Sequence, residues 1–164
     1  NGKTTDIVDV ARILADLVER ALGKDEKHRR SQGEKWNLLF VEDSPFFRSL
    51  TEPFLASAGY NITSAENGTE ALQILAKNPG RFHLVVTDIE MPAMNGFEFT
   101  TACRSQAGFK TLPIIAYTSS VSQEVARKAK EVGIDECIVK TDRPKLLEAI
   151  SHHLPEGPDN KEAA

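Results

Sequence analysis

From Trp36 onward the chain alternates two kinds of segment, and that alternation limits the possible folds more than any other feature. Short apolar runs at 37–41, 60–64, 83–87, 112–117 and 135–139 take turns with amphipathic stretches at 44–57, 67–77, 95–104, 121–131 and 143–153. Leu84-Val85-Val86 and Pro113-Ile114-Ile115-Ala116 lack polar alternates, as strands covered on both faces do. Five strand–helix units with short turns predict an α/β fold, a doubly wound five-stranded parallel sheet with helices on both faces. Gly59, Gly80 and Gly133 each fall just past a helical stretch, where a helix-ending residue belongs.

The ends of the chain read differently. In 1–23, Asp6-Ile7-Val8-Asp9-Val10 reads as a strand end leading into a helix. Val10, Ile13, Leu14, Leu17, Val18 and Ala21 then recur at helical spacing up to Gly23. That apolar stripe is expected to dock on the rest of the chain or to pair with a second copy as a homodimer. Residues 24–35 (KDEKHRRSQGEK) form a polar linker, and 154–164 a disordered tail. A chain that begins with Asn rather than Met is expected to be a piece of something longer.

Composition removes several functions. A net charge of −4 does not suit a nucleic-acid partner. Two cysteines, Cys103 and Cys137, have neither metal spacing nor a disulfide framework, which fits a cytoplasmic location. No apolar run is long enough to insert into a membrane, and no signal peptide is visible.

In open α/β sheets, ligands bind outside the carboxyl ends of the strands. The first strand ends in Glu42-Asp43 and the third in Thr87-Asp88. The fourth ends in Thr118-Ser119 and the fifth in Lys140-Thr141. The second ends in Ser64-Ala65-Glu66, which reads as a helix cap. Singly, each has an ordinary explanation. Asp43 or Ser44 can cap the helix that Pro45 opens. Asp88 can be a loop acid, Thr118 a structural hydroxyl and Lys140 a surface lysine. Those explanations leave the coincidence unexplained, because a parallel sheet brings these strand ends to one crevice. No His or Cys nucleophile and no glycine-rich phosphate loop stands there.

Glu42-Asp43, Asp88 in VVTDIEMPAMNG, Thr118 in PIIAYTSS and Lys140 in GIDECIVK together resemble the receiver domain of two-component response regulators, over about 36–153. The resemblance implies a CheY-like, flavodoxin-like strand order 2-1-3-4-5. It implies that Asp88 accepts a phosphoryl group from a histidine kinase's phosphohistidine. Glu42 and Asp43 match the acidic pair that holds Mg²⁺, Asp43 directly and Glu42 through water, and the backbone carbonyl of Glu90 matches a further metal ligand. Thr118 and Lys140 match the hydroxyl and the amine that meet the phosphoryl group. Such a domain is a phosphoacceptor capable of self-dephosphorylation, and family precedent places its readout on the face of the fourth helix, fifth strand and fifth helix.

Three positions depart from the family pattern. Thr141 stands where proline is usual, Cys137 where a switching aromatic is common, and Tyr117 where an aliphatic residue is usual. Strand alternation turns Tyr117 away from the site and into a core. Gly2-Lys3-Thr4-Thr5-Asp6-Ile7-Val8-Asp9-Val10 looks like the final strand of the CheW-like domain that ends CheA-type chemotaxis kinases. A CheA-type hybrid histidine kinase is therefore the expected parent, with a stand-alone or CheV-like regulator as the other choice. The competing functions are a degenerate receiver used as a constitutive docking module, a flavin carrier, and an aspartate-based phosphatase. The flavin carrier wants a phosphate loop after strand one, and the phosphatase wants its nucleophile there.

Overall fold

A computed structural model describes residues 35–154. The expectations for 1–23, for the linker up to Glu34 and for the tail beyond Leu154 lie outside the described residues. So does the proposed pairing through the N-terminal helix.

Five strands, β1 (Asn37–Val41), β2 (Asn61–Ala65), β3 (Leu84–Thr87), β4 (Ile114–Thr118) and β5 (Glu136–Val139), form one parallel sheet in the order β2-β1-β3-β4-β5. Between and after them run α1 (Pro45–Ser57), α2 (Gly68–Lys77), α3 (Gly96–Arg104), α4 (Gln123–Val132) and α5 (Arg143–His153). The doubly wound architecture and the 2-1-3-4-5 order are those anticipated. A 3₁₀ turn at Ala107–Phe109, too short to carry periodicity, is additional.

Successive strand residues point to opposite faces, and each face meets its own helices. Leu38, Phe40, Leu84, Val86, Ile115 and Tyr117 pack with Leu55 of α1 and with Leu146 and Ile150 of α5. Leu39, Val41, Val85, Ile114 and Ala116 pack with Ala71 and Leu75 of α2, Phe99 and Cys103 of α3, and Ala129 of α4. Each fully buried Leu, Ile or Phe contributes roughly 1.5–3 kcal/mol, so these two layers hold the sheet; both cysteines are free.

The helix ends follow local chemistry. Pro45 opens α1, and the Ser44 hydroxyl accepts from the Phe47 N–H at 3.4 Å. Ser44 is therefore the cap, and Asp43 is released from that duty. The cap of α2 is Asn67, which accepts from the Glu70 N–H at 2.8 Å. Ser64 and Ala65 belong to β2 instead, a correction to their expected capping role. Leu154, assigned to the tail, is buried in the α1/α5 layer and closes α5. An apolar side chain over an open core edge gains more by packing than by staying with the polar tail.

Arg104 ties the opposite end of the sheet together. Its guanidinium donates to the carbonyls of Gly133 (2.7 Å), Phe109 (2.8 Å) and Leu112 (2.7 Å), and it pairs with Asp135 at 3.2 Å. Asp135 in turn accepts from the Ile114 N–H at 2.9 Å. Replacing Arg104 with methionine keeps the stem and strands these carbonyls. The expected loss is about 2–4 kcal/mol in urea unfolding.

Candidate functional site

Among the described residues, six polar or charged residues are buried: Glu42, Thr51, Thr87, Asp88, Thr100 and Thr118. Thr51 and Thr100 belong to helices; the other four stand at the carboxyl ends of β1, β3 and β4. Burying polar groups is costly unless they are compensated, so their concentration at one edge marks a site.

The topology brings the carboxylates together. One ligand oxygen each from Glu42, Asp43 and Asp88 falls within 4.8 Å of the others. Lys140, just past β5, reaches across β4 to them. Its Nζ lies 2.6 Å from Glu42 Oε1 and 3.1 Å from Asp88 Oδ2, with its side chain only 8% exposed. The contact with Asp88 is a hydrogen bond and that with Glu42 Oε1 a close ion pair. This fully buried oxygen faces the Lys140 ammonium and no other donor. The other Glu42 oxygen accepts from the Ser44 N–H at 3.1 Å.

Asp88 is held at both oxygens. Oδ1 accepts from the Ile89 N–H at 2.7 Å, while Oδ2 faces Lys140. The loop after it is shaped by Gly96, whose N–H donates to the Ile89 carbonyl at 2.8 Å. Asn95 and Glu98 form a reciprocal capping box that starts α3 there. Glu90 lies on this loop with an exposed side chain. Thr118 is buried at the end of β4 and tied to Lys140 through the backbone, where its carbonyl accepts from the Lys140 N–H at 2.7 Å. Tyr117 points into the α1/α5 core, as alternation required, and its hydroxyl donates to the Lys140 carbonyl at 2.9 Å. Cys137 is half-buried against the other layer.

The crowding shifts the titrations. Burial is the main cause that lifts the Glu42 carboxyl from 4.5 to about 7; the neighbouring Asp88 charge adds to it, and Lys140 opposes it. Burial alone would lower the Lys140 ammonium, but the nearby Glu42 and Asp88 outweigh it and raise its pKa.

Two residues make contacts that had no sequence signal. Phe47, on the first turn of α1, places its ring 4.0 Å from Lys140 Nζ. Arg48 sends its guanidinium to the Glu42 carbonyl at 3.4 Å and pairs with Glu66 at 3.4 Å. Both depend on how α1 sits over the strand ends, which no local pattern encodes.

Residues 38–151 match the response regulator receiver domain. The chain belongs to that family. This receiver is also 36% identical to the chemotaxis protein CheY4 of Vibrio cholerae, whose structure it matches with a TM-score of 0.68 over 73% of this chain and 99% of that one. It is 33% identical over 162 residues to the chemotaxis protein CheV3 of Helicobacter pylori, covering 94% of this chain and 52% of CheV3. Against the sensor histidine kinase CheAY of the same organism it is 30% identical, over 85% of this chain and 18% of that protein. The chain thus spans about half of the first of these longer relatives and a small part of the other. No helix among the described residues is long and apolar enough to cross a membrane.

Proposed function

We propose that this receiver takes a phosphoryl group onto Asp88 from the phosphohistidine of a histidine kinase, in cytoplasmic chemotaxis signalling. The observation that carries this is the setting of Asp88, a buried carboxylate between the Ile89 N–H and the Lys140 ammonium, with Glu42 and Asp43 beside it. A carboxylate oxygen of Asp88 attacks phosphorus. The P–N bond to the donor imidazole breaks, its electrons return to the ring nitrogen, and that nitrogen takes up a proton. Such a transfer requires positioning and neutralised charge more than covalent assistance. Lys140 pairs with the transferred oxygens, and the Thr118 hydroxyl donates to them.

Mg²⁺ fits the residues present. The carboxylates of Glu42, Asp43 and Asp88 make an all-oxygen set suited to a hard cation, and the buried Glu42 Oε1 meets only the Lys140 ammonium. Glu42, Asp43, Asp88 and the Glu90 backbone carbonyl would hold it. When bound, it supplies positive charge for the transferring oxygens.

Incubation with acetyl phosphate, or with a phosphorylated kinase histidine, tests the proposal. Uptake that requires Mg²⁺ and is acid-stable but base-labile supports it. A wild-type protein that takes up nothing from either donor would favour the docking module, against which the complete residue set now speaks.

The same site predicts a pH dependence. The folded-state carboxyl of Glu42 lies above its ordinary value, so between about 4.5 and about 7 the native state holds a proton that the unfolded chain releases. Stability without Mg²⁺ therefore falls as pH rises through that window. The cation needs the ionised form, so apparent Mg²⁺ affinity rises over the same range. Calorimetric titrations at pH 6 and pH 8 should show the tighter binding at pH 8, with proton release at pH 6.

Similarity to both CheAY and CheV3 supports a chemotaxis parent. A CheA-type hybrid kinase was expected; the match to CheV3 extends over 94% of this chain and so beyond the receiver, which favours a CheV-like arrangement as a second reading. ATP-dependent autophosphorylation of the full-length parent separates the two. The α4–β5–α5 face is the proposed readout, where exposed Val121 and half-buried Cys137 line one groove.

A further inference from the structure

The Lys140 ammonium stands among the carboxylates that a cation would use, and three groups keep it there. Two are the expected acids, Glu42 and Asp88. The third is the face of Phe47, 4.0 Å from Nζ. Phe47 is half-buried, and its ring is braced edge-on by Phe46, with centroids 5.4 Å apart. The start of the helix that carries it is fixed by the Ser44 cap and by the Arg48 contact to the Glu42 carbonyl. The ring is thus anchored to the strand end whose carboxylate it helps Lys140 to cover.

We infer that Phe47 is a positioning residue that sets the divalent-cation affinity of this site by stabilising Lys140 in its inward place. This rests on the cation reading above. A cation among these carboxylates competes with the ammonium for Glu42 Oε1 and Asp88 Oδ2, and every contact that holds the ammonium inward opposes that exchange. An ammonium over an aromatic face gains about 0.5–2 kcal/mol, more when shielded from water, which corresponds to roughly a 2- to 30-fold change in binding. The shielding of Lys140 places the effect in the upper part of that range. Leucine at this position keeps an apolar side chain and the backbone N–H that Ser44 uses, but removes the ring.

The test is a double-mutant cycle on Mg²⁺ affinity, read by isothermal titration calorimetry without any phosphodonor. Phe47→Leu should bind Mg²⁺ several-fold more tightly than wild type. Phe47→Tyr, which keeps the aromatic face, should bind like wild type. In a Lys140→Met background the Phe47→Leu gain should vanish, because no ammonium is left to hold. Circular dichroism checks that each variant is folded, and the tyrosine comparison stands by itself should Lys140→Met fail to fold. Unchanged or weaker binding in Phe47→Leu, or an equal gain without Lys140, overturns the role of Phe47 while leaving the cation site intact. A wild-type protein that binds no Mg²⁺ overturns the cation reading itself, and this inference with it.

Discussion

Replacing Asp88 with asparagine abolishes phosphoryl uptake from acetyl phosphate, to the background of the reagent alone. The amide has the shape of the carboxylate and still accepts from the Ile89 N–H, which now stands 2.7 Å from Oδ1. It is not a nucleophile for phosphorus, and it brings no charge to the cation cluster. The fold should survive, because the substitution removes a like charge next to Glu42. The Glu42 carboxyl should fall back towards its ordinary value, and Lys140 should then pair with Glu42 alone. A radiolabelled or mass-shift assay reads the first effect, and circular dichroism confirms the fold. An Asp88→Asn protein that still takes up a phosphoryl group would mean that another residue is the acceptor.

Gly96→Ala should be the most destabilising small substitution near the site. A Cβ built there would lie 2.4 Å from the Asp88 carbonyl oxygen and 2.9 Å from the Ile89 Cα. Both are backbone atoms fixed by the β3 end and by the Gly96–Ile89 hydrogen bond, so neither can yield without moving Asp88. The expected cost is about 2–4 kcal/mol in urea unfolding. Phosphoryl uptake should drop as well, because the displaced atoms belong to the acceptor residue. At Gly68 the atoms nearest to an added Cβ belong to the flexible Met94 side chain rather than to backbone. Gly68→Ala should therefore cost much less, and it serves as the control.

The five-stranded parallel sheet could be read from the chain because buried parallel strands leave uninterrupted apolar runs, such as Leu84-Val85-Val86; its order came from the resemblance to receiver domains and not from those runs. Boundaries slipped where local chemistry overrode periodicity. The fourth strand begins at Ile114 rather than at residue 112, since Pro113 has no N–H for the ladder. The fourth helix begins at Gln123 rather than at residue 121, because Ser122 caps it and Val121 stays exposed. Glu42, Asp43, Asp88, Thr118 and Lys140 were legible because each ends a strand, and parallel strands end at one edge. Phe47 over Lys140 and Arg104 across the far edge were not legible. Both act over long separations, through the way a helix settles on the sheet, and neither residue type signals its partner.

The central claim is that Asp88 carries the phosphoryl group. Reductive trapping tests it most directly: wild-type protein is incubated with acetyl phosphate and Mg²⁺, treated with borohydride, digested and mapped. An acyl phosphate is reduced to an alcohol at the residue that carried it. The account predicts one reduced position, at Asp88, present with Mg²⁺ and lost when a chelator removes the cation. Reduction at Glu42, Asp43 or any other residue, or none at all in protein that has taken up phosphate, would contradict it.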